Sequence, residues 1–153
     1  MNARRCLFIA AVLGFLAVLL GAFGAHGLSD TGFLEKKYAE AEARDLTGMT
    51  VPASFKYMRD FETGVRYHMW HTLALLMVGV LMHKRPTRLL SAAAWCFSGG
   101  TLLFSGALYV LVIGGPRFAG IPWGLVAPIG GTLLMLGWIS LAIAVLTQPG
   151  NEA

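Results

Sequence analysis

An all-α integral membrane protein, a four-helix transmembrane bundle with a partly helical first loop, is the fold class that three observations on this sequence predict. The first is composition: 56% of the 153 residues are hydrophobic and only 13% are charged, far from the soluble norm. A single domain of this length has no interior large enough to hide that much apolar side chain, so a bilayer must solvate it. The second is segment length. Spanning the hydrocarbon takes roughly 20 apolar residues as a helix, and stretches near 7–28, 65–83, 89–113 and 122–146 reach it. The third is that these runs are continuous rather than alternating, which disfavours a barrel and leaves helices as the way to cross. Residues 1–153 are read as one transmembrane domain, with an extramembrane loop near 29–63.

The first span follows Arg4 and Arg5 and ends in GAFGAHGL at 21–28. Basic residues, an apolar run and Ala25-His26-Gly27 resemble a signal peptide with its cleavage site. The run is about 20 residues, longer than the usual 7–15 of such signals, so a retained span is expected. Gly14, Gly21, Gly24 and Ala25 recur at spacings that let helix backbones approach closely. His26 stands apart, since an ionisable side chain near a membrane boundary calls for a partner.

Next comes a loop in two parts. Residues 33–46 read as a short helix rich in Ala, Glu and Lys, with Lys36 and Glu40 four apart. A break at 48–52 follows, and a helical start near Ser54 is expected to run straight into the second span. Lys56 with Asp60, and Glu62 with Arg66, repeat the four-residue spacing and suggest a solvated, salt-bridged face. Phe33, Leu34, Tyr38, Phe55, Tyr57, Met58 and Phe61 point to a loop lying against the membrane surface.

The second span, within FETGVRYHMWHTLALLMVGVLMH at 61–83, passes from a polar end into lipid-length sequence. Tyr67 and His71, and His68 and His71, share a helical face. By the parity of the crossings, His26, Tyr67, His68, His71, Ser105 and Tyr109 gather near one membrane face; His83 falls at the other. In the third and fourth spans Gly99, Gly100, Gly106, Gly130, Gly131 and Gly137 permit close packing. GGPRFAGIPWG links those spans as a turn with Trp123 at interfacial depth, and Pro128 caps or kinks the fourth. Cys6 and Cys96 read as free thiols. Arg4 and Arg5, with Lys84, Arg85 and Arg88 in the tight turn, place both termini in the cytoplasm by the positive-inside rule; the cations of the first loop argue the other way.

Three histidines offer imidazoles to zinc or copper, and paired histidines ligate haem or relay protons. No HExxH, CxxC or CxxCH sequence accompanies them, and buried polar groups hydrogen-bond across helices without any ligand. The reading carried forward is structural hydrogen bonding without a cofactor. A metal or haem at His26 and His71, or transport, is the alternative.

GAFGAHGL, FETGVRYHMWHTLALL, LFSGALYVL at 103–111 and APIGGTLLMLGW at 127–138 together resemble the YgdD-like family. These are small four-helix proteins of bacterial inner (plasma) membranes with animal transmembrane relatives, known as a domain of unknown function. The resemblance covers nearly the whole chain. Its pattern falls on His26, Tyr67, His71, Ser105, Gly106, Tyr109, Pro128, Gly130, Gly131 and Trp138. Two departures stand out: His68 sits where relatives usually carry Gln, which weakens a three-histidine metal site, and the first loop is longer than usual. The resemblance implies fold and location but no mechanism.

The function expected is therefore a non-enzymatic, multi-pass structural or accessory subunit of a membrane assembly, its partners being the lipid bilayer and further copies or other subunits. The alternative is a small carrier or a metal-, haem- or quinone-binding protein built on a His26/His71 polar cluster. No nucleophile–base pair or paired carboxylates lie in the spans, so an enzyme is not expected. A net charge of +4 suits ordinary membrane flanks and gives no sign of nucleic-acid binding.

Overall fold

Asn2 caps the first helix, its side chain accepting from Arg5 N at 2.9 Å, and the chain then builds four long helices in the computed structural model, which describes residues 1–147. Helix α1 is Ala3–Ala22, continued by a π-helical segment Phe23–Ser29. A short helix α2, Phe33–Lys37, leads to a two-stranded antiparallel hairpin, β1 (Arg44–Leu46) and β2 (Met49–Val51). Helix α3 runs unbroken from Ala53–Lys84, α4 from Arg88–Gly114 and α5 from Trp123–Leu146.

The stops follow local chemistry. Pro86 ends α3, because a residue before proline is pushed out of the helical region; Thr87 then caps α4 by accepting from Leu90 N at 3.1 Å. At the far end, Gly115 takes φ 110°, a conformation open to glycine, and Pro116 follows. Three helices are long and apolar enough to cross a membrane: Ala3–Ser29, Arg88–Gly114 and Trp123–Leu146. The longest helix, α3, is the exception. Charged residues fill its first half, and His68 and His71 interrupt its apolar half.

Backbone packing follows the order α1 on α3, α3 on α4 and α4 on α5. Helix α3 thus packs on both α1 and α4, and it also meets α5 where His71 contacts Trp138. The main core joins Cys6, Ala10 and Leu13 of α1 to Leu75 and Val78 of α3, Phe97 of α4 and Leu134 of α5. Glycines set the tightest approach. A Cβ on Gly130 would lie 2.2 Å from the Phe104 backbone nitrogen, and one on Gly137 would lie 2.7 Å from the Phe97 ring. Gly24 meets Phe61 closely, whereas Gly21 and Gly131 make ordinary contacts. Gly106 corrects the expectation of a packing role within the chain, since nothing lies within 4 Å of a Cβ placed there. Gly64, Gly79 and Gly100 are close-packed instead, against Tyr109, Leu7 and Leu134.

The first loop departs most from expectation. The helix read across residues 33–46 stops at Lys37, and Arg44–Leu46 pairs with Met49–Val51. Thr47 and Gly48, at φ 52° and 83°, make the two-residue turn that positive φ values favour in hairpins. With the helix ended, Lys36 and Glu40 lose their shared face. Lys56 and Asp60 do form an ion pair, whereas Glu62 and Arg66 do not. The helical start near Ser54 does run without a break into α3.

The loop also turns inward more than a surface-lying segment would. Leu28, Leu34, Tyr57 and Phe61 form a second core with Leu111 and Val112 of α4, while Phe33 and Phe55 stay exposed. Its polar atoms finish α4, whose last carbonyls lack intrahelical donors. Tyr38 donates to Val112 O at 2.9 Å and Lys37 donates to Ile113 O. Tyr38 also stacks on Tyr57, centroids 4.1 Å apart. Burial, and then the neighbouring Tyr57, push the Tyr38 hydroxyl up to about 12.

Candidate functional site

The polar residues of the long helices sort into two groups around α3, and His26 joins neither. The π-helical turn carries His26 outward, where its Nδ1 lies 2.9 Å from Asp30 Oδ2 with both side chains largely exposed. Gly24 lies against Phe61, and His71 is ten residues further along α3, about 15 Å at 1.5 Å per residue. His26 and His71 are thus apart, and the cluster expected to contain both lacks His26. Gly21, Gly24 and Gly27 let this segment widen into a π-helix, a form frequent at functional sites.

His71 forms the first group. A carbonyl only accepts, so the 2.8 Å contact to Tyr67 O makes His71 Nδ1 the donor. Its Nε2 is then the acceptor, and Trp138 of α5 donates its indole N–H to it at 3.3 Å. Both ring nitrogens are used in a single neutral tautomer. Aromatic rings close around it: Phe97 and Trp138 stand edge-on at 5.2 Å, and Tyr67 meets Phe104 at 4.8 Å. With Nε2 occupied by Trp138, no free lone pair faces a metal, and among the described residues no three His, Cys, Asp or Glu side chains are grouped to hold one. His71 acts as a clasp between α3 and α5.

His68 belongs to the second group. Its Nδ1 lies 3.2 Å from the Tyr109 hydroxyl of α4, while Nε2 faces the Leu13 backbone of α1 without hydrogen-bond geometry. Thr72 lies one turn along α3 from His68, and on α4 Ser105 lies one turn from Tyr109 and Thr101 one turn further. The hydroxyls of Thr72 and Thr101 are buried and, like His68 Nε2, have no hydrogen-bond partner among the described residues; the buried Ser105 hydroxyl stands beside that of Tyr109. His68 meets α4 through Tyr109, and Thr72 lies against Gly14 of α1. Sequence reading named His68, Ser105 and Tyr109 but missed Thr72 and Thr101. Their four-residue spacing from His68 and Ser105 was the available signal. Tyr67, placed with the cluster by sequence, faces outward in part and touches His71 and Phe104.

The two thiols are free. Cys6 is buried and donates to Leu75 O at 3.3 Å, and Cys96 is half-buried.

Comparison with known proteins adds the lineage. The family model described as a protein of unknown function, DUF423, matches residues 20–131. A UPF0382 membrane protein of Haemophilus influenzae is 38% identical over 140 residues, covering 91% of both chains. The UPF0382 inner membrane protein YgdD of Escherichia coli K12 is 33% identical over 147 residues, covering 95% of this chain and 92% of its own. The UPF0382 membrane protein YwdK of Bacillus subtilis is 33% identical over 141 residues, covering 92% and 94%. No solved structure matches significantly. A family model spanning most of the chain and relatives aligned nearly end to end agree on one assignment: the chain belongs to the DUF423/UPF0382 family of membrane proteins.

Proposed function

We propose that this chain is a non-enzymatic accessory subunit that crosses the bacterial inner membrane four times and works by packing within a larger membrane assembly. The observation that carries the reading is the His71 clasp. The residue best suited by sequence to hold a cofactor spends both nitrogens on Tyr67 O and Trp138 Nε1–H, which leaves a helix-locking device. Helix α3 counts as the fourth span because its histidines are buried against protein, His68 beside α1 and α4 and His71 beside α4 and α5. Both termini then fall on the side of Lys84, Arg85 and Arg88, which the positive-inside rule makes cytoplasmic; the C-terminus itself lies outside the described residues. Relatives named as inner membrane proteins support the location.

The test is native mass spectrometry of the tagged chain extracted with its own lipids. Additional copies or other membrane subunits in fixed stoichiometry are expected. A monomer under every extraction condition overturns the reading. One observation favours a second reading, a small carrier: the buried side chains of His68, Thr72 and Thr101 keep polar atoms without a hydrogen-bond partner among the described residues. An unpartnered buried polar group costs about 1–3 kcal/mol, so a polar solute would gain contacts there. That reading expects solute or proton flux in proteoliposomes that His68→Leu abolishes.

A further inference from the structure

At the end of α4 lies an apolar notch of about 300 Å³, lined by Tyr109, Val110, Ile113, Gly114 and Phe118. Gly114 shapes it. A Cβ there would come within 2.7 Å of the Phe118 ring, so the missing side chain lets Phe118 fold back against the helix. Trp123 holds that turn by donating its indole N–H to Phe118 O at 2.9 Å. Tyr109 forms the inner end, its hydroxyl engaged with His68 and its ring packed on Phe61, centroids 5.0 Å apart. Ile113 and Phe118 are exposed, so the notch opens outward and no neighbouring helix closes it.

Depth orders the groups. Gly114 ends the Arg88–Gly114 span, and Tyr109 lies five residues deeper, about 7.5 Å at 1.5 Å per residue. Two cations stand at the outer end. Lys37 donates to Ile113 O, and its ammonium lies 5.7 Å from the ring centroids of both Phe33 and Tyr38. Those contacts hold it in place with N–H groups to spare, since an ammonium has three. Arg117 immediately precedes Phe118; it is exposed and has no side-chain partner among the described residues. The carbonyl end of α4 carries about half a negative charge, less than these two cations supply. No carboxylate lines the notch. From the bilayer centre outward, the order is an apolar slot and then two positive charges.

We infer that this notch holds one phospholipid of net negative charge. Its phosphate accepts from Lys37 Nζ and from the Arg117 guanidinium. The first part of one acyl chain lies along Val110 and Ile113, between the rings of Tyr109 and Phe118. Net charge decides the class. A zwitterionic head brings its own ammonium toward two cations, with no carboxylate there to receive it.

Native mass spectrometry of the full chain released from bilayers of phosphatidylglycerol, phosphatidylethanolamine and phosphatidylcholine in equal parts tests this. Retained lipid is expected to favour phosphatidylglycerol over either zwitterion by about three- to five-fold, the range that exposed ion pairs supply. Lys37→Gln, which keeps an N–H for Ile113 O, and Arg117→Gln should each bring that ratio toward one. Ile113→Trp should fill the notch and lower the retention of phosphatidylglycerol. Arg59→Gln removes an exposed cation of α3 outside the notch and should leave the ratio at its wild-type value. Arg117→Gln breaks no protein hydrogen bond or ion pair, so it should melt with the wild type in detergent and separate lost lipid from lost fold. Retained lipid that matches the bulk mixture overturns the inference. So does a ratio unchanged in both notch charge variants, or one lowered as far by Arg59→Gln, which marks attraction to overall charge. None of these outcomes bears on whether the chain joins an assembly.

Discussion

His71 and Trp138 show what one side chain does in this membrane protein. Deleting the imidazole by His71→Ala strands the Trp138 N–H in an apolar layer, and interhelical hydrogen bonds of this kind contribute about 0.6–1.7 kcal/mol. His71→Ala and Trp138→Phe should therefore each destabilise the protein, while the double variant should lose less than the sum of the two. Unfolding free energies from steric trapping in bicelles measure that cycle, and strict additivity would remove the clasp. Tyr38 is the counterpart outside the spans. Its hydroxyl is raised to about 12 in the folded chain against about 10 in an unfolded one. Below pH 10 both forms are protonated and the contribution is complete. Between pH 10 and 12 the unfolded chain ionises first, so stability falls as pH rises. Tyr38→Phe should cost about 1 kcal/mol at neutral pH and flatten this alkaline loss, read as proteolysis of the loop against pH.

Elements are held together here by the absence of side chains as much as by their presence. Helix α5 rests on α4 through Gly130, where an added methyl would meet the Phe104 backbone at 2.2 Å. Backbone does not swing aside as a rotamer does, so Gly130→Ala should force the helices apart at about 1–3 kcal/mol or more. Gly106→Ala is the control. With open space around it, the substitution should be neutral or stabilise α4 by up to about 1 kcal/mol, since alanine is the better helix former. Thermal unfolding in one detergent would rank the two, and equal destabilisation would refute this account of the glycines. The glycines were all visible in the sequence. Which of them face a neighbour depends on the rotation of each helix about its axis, and sequence spacing leaves that rotation open.

Across the whole molecule, crossing number is the property to test. With four spans, the residue 39–43 loop and the 84–88 turn lie on opposite faces of the membrane. Single cysteines at Ala41 and Thr87, in a background with Cys6 and Cys96 replaced by alanine, should react with an impermeant maleimide from opposite sides. Labelling from one side only would mean that α3 does not cross. The row-like packing of α1, α3, α4 and α5 explains why α3 tolerates its histidines. The histidines are buried against α1, α4 and α5, so, should α3 cross the membrane, these polar groups meet protein instead of hydrocarbon.

The membrane class, the helical fold and three of the apolar runs long enough to cross a membrane follow from composition and run length alone, because lipid solvation acts on a segment wherever it lies in the tertiary arrangement. The resemblance across GAFGAHGL, FETGVRYHMWHTLALL and APIGGTLLMLGW likewise needed no coordinates to place the chain in its family. What the polar residues do was decided only in three dimensions. His71 finds its partner 67 positions away, and His26 leaves the group because a π-helical turn rotates it toward Asp30. The loop aromatics turn inward because the unpaired carbonyls ending α4 draw Lys37 and Tyr38 onto them. Each of these outcomes depends on helix rotation and long-range closure, which hydropathy and local spacing do not encode.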